Sequence, residues 1–403
     1  MKEKNKIKKS RFKFNINWKE ISSVLGLFIA WRTIIWLIAF IGQGRFALNS
    51  DQAYGWSANA AQDWIHQIPS FLRYWARWDS GWYISVAEQG YFWTAPGDWS
   101  NVVFFPLYPQ IVRLFAYLLE NQYFIAGIIV SSLATLLSCF YLYRLVKFEL
   151  EKKSALRSVL YMLIFPTSIF LASIYTESLF ILTAVASLYH ARKGQWYAAS
   201  IWGFMVTLTR PSGIIILAVL LLEYFEQRNF NPLKVKAGVL NLLFIPTGLG
   251  IYMYFLFQRF QNPYIFAFAQ DAWQRETNVS LSGLWMTISR YFNDLINFDT
   301  TNLPLYISNA FDLSFFAIFF VLAILVFIFL RKSYGLYMMS YLIIPALTGT
   351  FISMGRFSLA LFPAFILLAK WGRNQAFNYS ITILFSMLSA LFITMFVNTY
   401  WAG

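Results

Sequence analysis

Eleven long apolar stretches dominate this chain, and they constrain its fold more than any other feature. They run over residues 22–42, 124–146, 157–174, 177–191, 196–210, 212–225, 237–257, 313–330, 336–353, 357–370 and 378–398. A helix needs roughly 20 apolar residues to cross a bilayer core, and the longest of these stretches meet that length. They are continuous and do not alternate, which excludes a transmembrane β-barrel. Only 12% of residues are charged, about half the share in soluble domains. The expected class is therefore an all-α polytopic membrane protein of about eleven transmembrane helices. Several stretches are short, and these suit a locally thinned or partly water-filled region.

Positive charge orients the spans. The tail, residues 1–21, carries Lys2, Lys4, Lys6, Lys8, Lys9, Arg11, Lys13 and Lys19 and is expected on the cytoplasmic side against anionic lipid. Lys147, Lys152, Lys153, Arg192, Lys193, Arg331, Lys332, Lys370 and Arg373 fall on the same side. The net charge of +14 is thus a topology signal and does not call for nucleic acid. Residues 104–119 contain Pro106, Pro109 and Arg113, are too short to span, and read as an interfacial or re-entrant helix on the outer side. Residues 22–403 form one transmembrane domain with outer loops at 43–123 and 258–312. The lone cysteine, Cys139, allows no intramolecular disulfide, and His66 and His190 lie too far apart in sequence to suggest a structural zinc site.

Polar residues with chemical potential collect on the outer side. Arg77-Trp78-Asp79-Ser80-Gly81-Trp82-Tyr83 places a carboxylate among aromatic rings, a setting that can tune a general base. The simpler reading makes the tryptophans interfacial anchors and Asp79 a helix cap. On a helix Asp79 and Tyr83 share a face, with Trp75 one turn earlier. Asp51 is the alternative base, and the residues alone do not choose between the two. Glu88 lies further along the same loop. Glu177 begins a helix, where capping is the rival to substrate binding. Arg210, in Thr209-Arg210-Pro211-Ser212-Gly213, and Arg356, in Met354-Gly355-Arg356-Phe357, sit at outer helix boundaries. Their forks of donors match phosphate oxygens, and snorkelling to lipid phosphate is the bland alternative.

Taken in order, Trp78-Asp79-Ser80, Ala87-Glu88-Gln89-Gly90-Tyr91, Phe104-Phe105-Pro106-Leu107-Tyr108-Pro109, Tyr175-Thr176-Glu177-Ser178, the Arg210 and Arg356 motifs and Phe362-Pro363 resemble the PIG-V-type mannosyltransferases. That group comprises GPI mannosyltransferase II and its prokaryotic relatives. The resemblance implies a GT-C fold and an inverting transfer of a sugar, mannose above all, from a polyprenyl-phosphate donor to an extracytoplasmic glycolipid or glycan acceptor. It implies Asp79 as the base, with Trp78, Tyr83, Glu88, Tyr108, Glu177, Arg210 and Arg356 around the substrates. No cofactor is required on this reading, although carboxylate-bound Mg²⁺ or Mn²⁺ stays open. The small size points to a compact, prokaryote-like member of a plasma membrane, for which a GPI acceptor is not expected. Two other classes fit the spans: a lipid or lipid-linked-sugar transporter, and a non-catalytic subunit of a glycosylation complex. A transporter calls for charges lining a path to both sides, and the sequence shows few on the inner side.

Overall fold

The computed structural model describes residues 18–45, 68–273, 275, 280–297 and 303–402. Asp51 lies outside the described residues. Within them the protein is built from α-helices and 3-10 turns packed on one continuous apolar core.

Among the described residues, five helical segments are long and apolar enough to cross a membrane: Trp18–Gly42, Tyr123–Glu149, Ala237–Phe260, Tyr306–Phe329 and Gln375–Val397. The first two are α1 and α4 here. Ala237–Phe260 enters through a 3-10 stretch before continuing as α10 (Ile245–Phe260). Tyr306–Phe329 belongs to α13 (Leu303–Phe329), and Gln375–Val397 is α17. These helices carry bare Ile, Leu and Phe side chains such as Ile34, Phe40, Ile318, Ile328 and Ile383, the face a helix presents to lipid.

The other apolar stretches form shorter or interrupted helices, and the chain supplies the breaks. Pro166 lies in the turn between α5 (Lys152–Leu163) and the single turn α6 (Ile169–Ala172), because a proline ring removes a donor and obstructs the preceding turn. Pro211 opens a 3-10 turn, Pro211–Ile215, between α8 (Trp196–Thr207) and α9 (Ile216–Glu226). Pro363 starts α16 (Pro363–Trp371) after the short α15 (Met354–Leu359). Sixteen-residue α7 (Glu177–Arg192) is the best-enclosed helix, with every residue from Glu177 to Leu188 buried. At 1.5 Å per residue it extends about 24 Å, short of the ~30 Å of a bilayer core. It packs between α4 and α8, while α13 pairs with α14 (Lys332–Ala346).

Two junctions close the bundle. Asn398, just past α17, donates to the carbonyl of Gly42 at 2.8 Å and accepts from the amide of Gly44 at 2.7 Å, tying the end of α1 to the end of α17. At the α13–α14 hairpin, a Cβ on Gly335 would stand 2.5 Å from Cβ of Phe327, so only glycine allows the turn.

On the end of the bundle that the charge pattern assigns to the outside lie α2 (Ser80–Gln89), α3 (Leu107–Leu118), α11 (Ile265–Phe268) and α12 (Leu281–Ile296). Helix α3 is amphipathic: Tyr108, Val112 and Ala116 face the core, and Leu114, Tyr117 and Leu118 are bare. Its first amide donates to the carbonyl of Leu208 at 3.0 Å, docking it beside the Arg210 turn. It has twelve residues, where the sequence reading expects an interfacial or re-entrant helix. The second outer loop was expected to run to residue 312. Instead α13 begins at Leu303, so Asp312 sits inside a membrane helix. The apolar periodicity before Leu313 is interrupted by Asn309 and Asp312, which hid the extension.

Candidate active site

The cluster begins with a strained residue. Trp78 has φ 54°, in the left-handed region that bulky side chains avoid. This turn starts α2 and holds Asp79 at its first boundary with φ −62° and ψ −13°. The Asp79 side chain makes no capping hydrogen bond, so the helix-cap reading does not describe what it does. Below it, the hydroxyl of Tyr175 accepts from the Asp79 amide at 3.1 Å and donates to the carbonyl of Arg77 at 2.9 Å, bracing the turn. Strain of this kind persists only where surrounding contacts fix it, and it concentrates at functional sites.

From this turn Asp79 Oδ2 accepts from Arg356 Nη1 at 2.6 Å. Arg356 Nε lies 3.3 Å from Glu177 Oε1. The same Glu177 oxygen takes a charged contact from Arg210 Nη2. Arg210 also donates through Nε and Nη2 to Thr176 Oγ1 at 3.2 and 3.1 Å, and Thr176 Oγ1 lies 3.1 Å from the Tyr83 hydroxyl. An unbroken polar chain therefore runs Asp79, Arg356, Glu177, Arg210, Thr176, Tyr83.

Exposure separates the two carboxylates. Asp79's side chain is 20% exposed, whereas Glu177's is sealed at 0%. Glu177 Oε2 is buried and accepts no hydrogen bond among the described residues. Burial raises the pKa of the Tyr83 phenol, so this group works as a neutral hydroxyl.

Aromatic rings wall the cluster. The Arg356 guanidinium lies 5.5 Å from the Tyr175 ring centre and 5.6 Å from that of Trp401, and Trp401 meets Trp78 edge-on at 5.2 Å. Phe357 is approached by three guanidiniums: Arg275 at 5.3 Å, Arg356 at 5.6 Å and Arg210 at 5.7 Å. Arg275 donates to Thr348 Oγ1 at 3.2 Å and to the carbonyl of Ile352 at 2.9 Å. Burial lowers its pKa to about 10, with Arg356's charge adding to the effect, so it stays a cation at neutral pH.

The structure thus gathers Trp78, Asp79, Tyr83, Glu177, Arg210 and Arg356, drawn from loops far apart in sequence. Tyr108 touches the Tyr83 ring at 5.3 Å, but its hydroxyl turns away to Ser131 Oγ at 2.8 Å and the carbonyl of Gly127 at 3.2 Å. Its place is the wall behind Tyr83. Glu88 is not in the cluster. It is exposed near the far end of α2, and its backbone carbonyl faces Arg113 at 3.4 Å. Nine residues separate Asp79 from Glu88, a rotation that turns the two to different faces of one helix. Reading the sequence missed Arg275, Phe357 and Trp401 as members. Phe357 adjoins Arg356 within a motif already noted, whereas Trp401 carries no local signal, because only the α1–α17 pairing brings it in.

The expectation of few charges on the inner side fails. Glu223, fully buried, pairs with Arg192 at 3.1 Å and Arg331 at 2.9 Å and accepts from Ser333 Oγ at 2.6 Å, with Glu149 and Glu226 adjoining. These residues end α4, α7, α9 and α13 or begin α14, and sequence alone does not show that those ends meet. The network closes the end of the bundle that the charge pattern assigns to the inside with satisfied ion pairs. Among the described residues, no three His, Cys, Asp or Glu side chains gather as a metal-ligand set.

The helical bundle has the GT-C fold of membrane glycosyltransferases. ArnT from Cupriavidus metallidurans, solved bound to undecaprenyl phosphate, superposes with a TM-score of 0.51 over 94% of this chain and 74% of that one, at 13% identity. An oligosaccharyltransferase from Archaeoglobus fulgidus aligns over 96% of this chain and 56% of its own, at 11% identity and a TM-score of 0.46. The mannosyltransferase (PIG-V) family model matches residues 19–275, and the chain belongs to that family. GPI mannosyltransferase 2 of Schizosaccharomyces pombe is 28% identical over 181 residues, which is 43% of this chain and only 36% of the yeast protein.

Proposed function

We propose that this protein transfers a sugar, mannose on the family's evidence, from a polyprenyl-phosphate donor to a hydroxyl of an extracytoplasmic glycolipid or glycan, inverting the anomeric carbon. The carrying observation is the pairing of a partly exposed Asp79 with Arg356 inside a cluster of arginines. Asp79 is the carboxylate that an acceptor hydroxyl can reach. It takes the acceptor proton as the new C–O bond forms at the anomeric carbon and the bond to the phosphate oxygen breaks. The departing polyprenyl phosphate gains negative charge in that step, and Arg356 and Arg210 are placed to meet it, which favours the transition state over the bound donor. A phosphate drawing on Arg356 also loosens its hold on Asp79 and leaves the base free to work. Glu177 keeps both guanidiniums in place, and Trp78 and Tyr83 flank the acceptor.

This scheme assigns the leaving-group charge to arginine and needs no metal. The protein is an integral membrane protein. On the proposed topology its amino terminus is cytoplasmic and the cluster faces outward from a prokaryotic plasma membrane. The test is transfer from labelled polyprenyl-phosphate-mannose to a panel of glycolipids in vesicles, with wild type beside Asp79→Asn. Loss of about 10²–10⁴ in turnover with donor binding retained supports the base assignment. Equal turnover in the two proteins rejects it.

A further inference from the structure

A buried acid on a neighbouring helix touches the segment that carries the site's arginine. Asp312 is 4% exposed and sits in α13 next to Phe311 and Leu313. A carboxyl group buried among apolar side chains is costly unless it is hydrogen-bonded. Its Oδ1 accepts from the backbone amide of Met354 at 2.8 Å. Met354 opens α15, and the residue before it, Ser353, stands at φ 73°, again left-handed without being glycine. Arg356 follows two residues later. The same strand of chain is gripped elsewhere: Thr167 Oγ1 donates to the carbonyl of Gly355 at 3.0 Å, Arg275 donates to the carbonyl of Ile352 at 2.9 Å, and the Tyr291 hydroxyl accepts from the amide of Phe351 at 3.1 Å. Of these grips, Asp312 alone takes the amide that begins α15, and it does so from a neighbouring long helix.

We infer that Asp312 is a positioning residue. By anchoring the Met354 amide it holds the left-handed Ser353 turn and directs Arg356 onto Asp79 and Glu177. The inference rests on the proposed glycosyl transfer for its kinetic part only; the anchoring is a matter of structure. Two measurements on the full-length protein in nanodiscs separate them. The first is amide hydrogen exchange in Asp312→Ala. Exchange about tenfold faster over residues 353–357, with α4 unchanged, is the expected result. Unchanged exchange there overturns the anchoring whether or not the protein transfers sugar. Should Asp312→Ala fail to fold, Asp312→Leu, which keeps the bulk and removes the acceptor oxygen, is expected to show the same acceleration in this peptide, and no acceleration overturns the anchoring equally.

The second is a double-mutant comparison of turnover with Arg356→Gln. If Asp312 acts through Arg356, removing its acceptor oxygen (Asp312→Ala, or Asp312→Leu) lowers turnover tenfold or more in the wild-type background and leaves the Arg356→Gln protein unchanged within a factor of two. Independent, multiplying losses overturn the positioning role and leave a general packing role. Absence of transfer by the wild type overturns the functional reading, and the exchange experiment then decides the anchoring alone.

Discussion

Asp79 and Glu177 share Arg356 but hold it from opposite situations. Glu177 is sealed and serves two guanidiniums through one oxygen, while Asp79 meets solvent and serves one. Their substitutions should therefore separate stability from turnover. Glu177→Gln leaves Arg210 and Arg356 short of a counter-charge in a desolvated place. Breaking such a pair from one side costs about 3–5 kcal/mol, read as a clear fall in melting temperature in detergent. Asp79→Asn should move that temperature far less while removing transfer. A Glu177→Gln protein as stable as wild type would show that the arginines find other partners. Both acids were legible in the sequence, because each stands in a motif at an apolar boundary. Asp312 was not: an acid beside a hydrophobic run reads as a loop end until the helix is seen to begin earlier. Arg275 was likewise hidden in a polar loop, since its burial depends on Phe357 arriving from elsewhere.

At the scale of elements, the prolines that shorten the helices also deliver the site. Pro211 ends the α8 path and lets Arg210 swing back onto Thr176 and Glu177. Gly213 in the same motif has a reason visible only in three dimensions: a Cβ there would overlap the backbone carbonyl of Val206. Backbone cannot give way as a flexible side chain can. Gly213→Ala is expected to displace the Arg210 turn and cut transfer at least tenfold with modest loss of stability, checked by steady-state kinetics beside a thermal melt. Unaltered kinetics would show that the turn can shift without Arg210. The long spans were readable from apolar length alone. The interrupted ones were readable in extent, but which ends converge was not, as the inner network around Glu223 demonstrates.

For the molecule as a whole, the enclosed helix α7 is shorter than an ordinary bilayer core, and the lipid or water around it must accommodate that. Reconstitution into bilayers of 14-carbon chains should give faster transfer than into 22-carbon chains, since mismatch costs a fraction of a kcal/mol per Å. Equal rates across the series would place the site clear of the lipid. Chelation by EDTA should leave transfer unchanged on the proposed scheme, and a loss restored by Mg²⁺ or Mn²⁺ would require a metal beside the arginines.

The brevity of α7 also has an electrical meaning. Its two ends carry the Asp79–Glu177 cluster and the Glu223 network, and between them lies a buried layer about 24 Å deep, mostly apolar. A transmembrane voltage falls mainly across apolar material, so much of the cell's potential is concentrated over this thin septum. Moving one charge through the full drop is worth about 2.3 kcal/mol per 100 mV. On the proposed topology and transfer, a site at the lip of that septum samples part of the drop, and the departing phosphate gains its charge within that field.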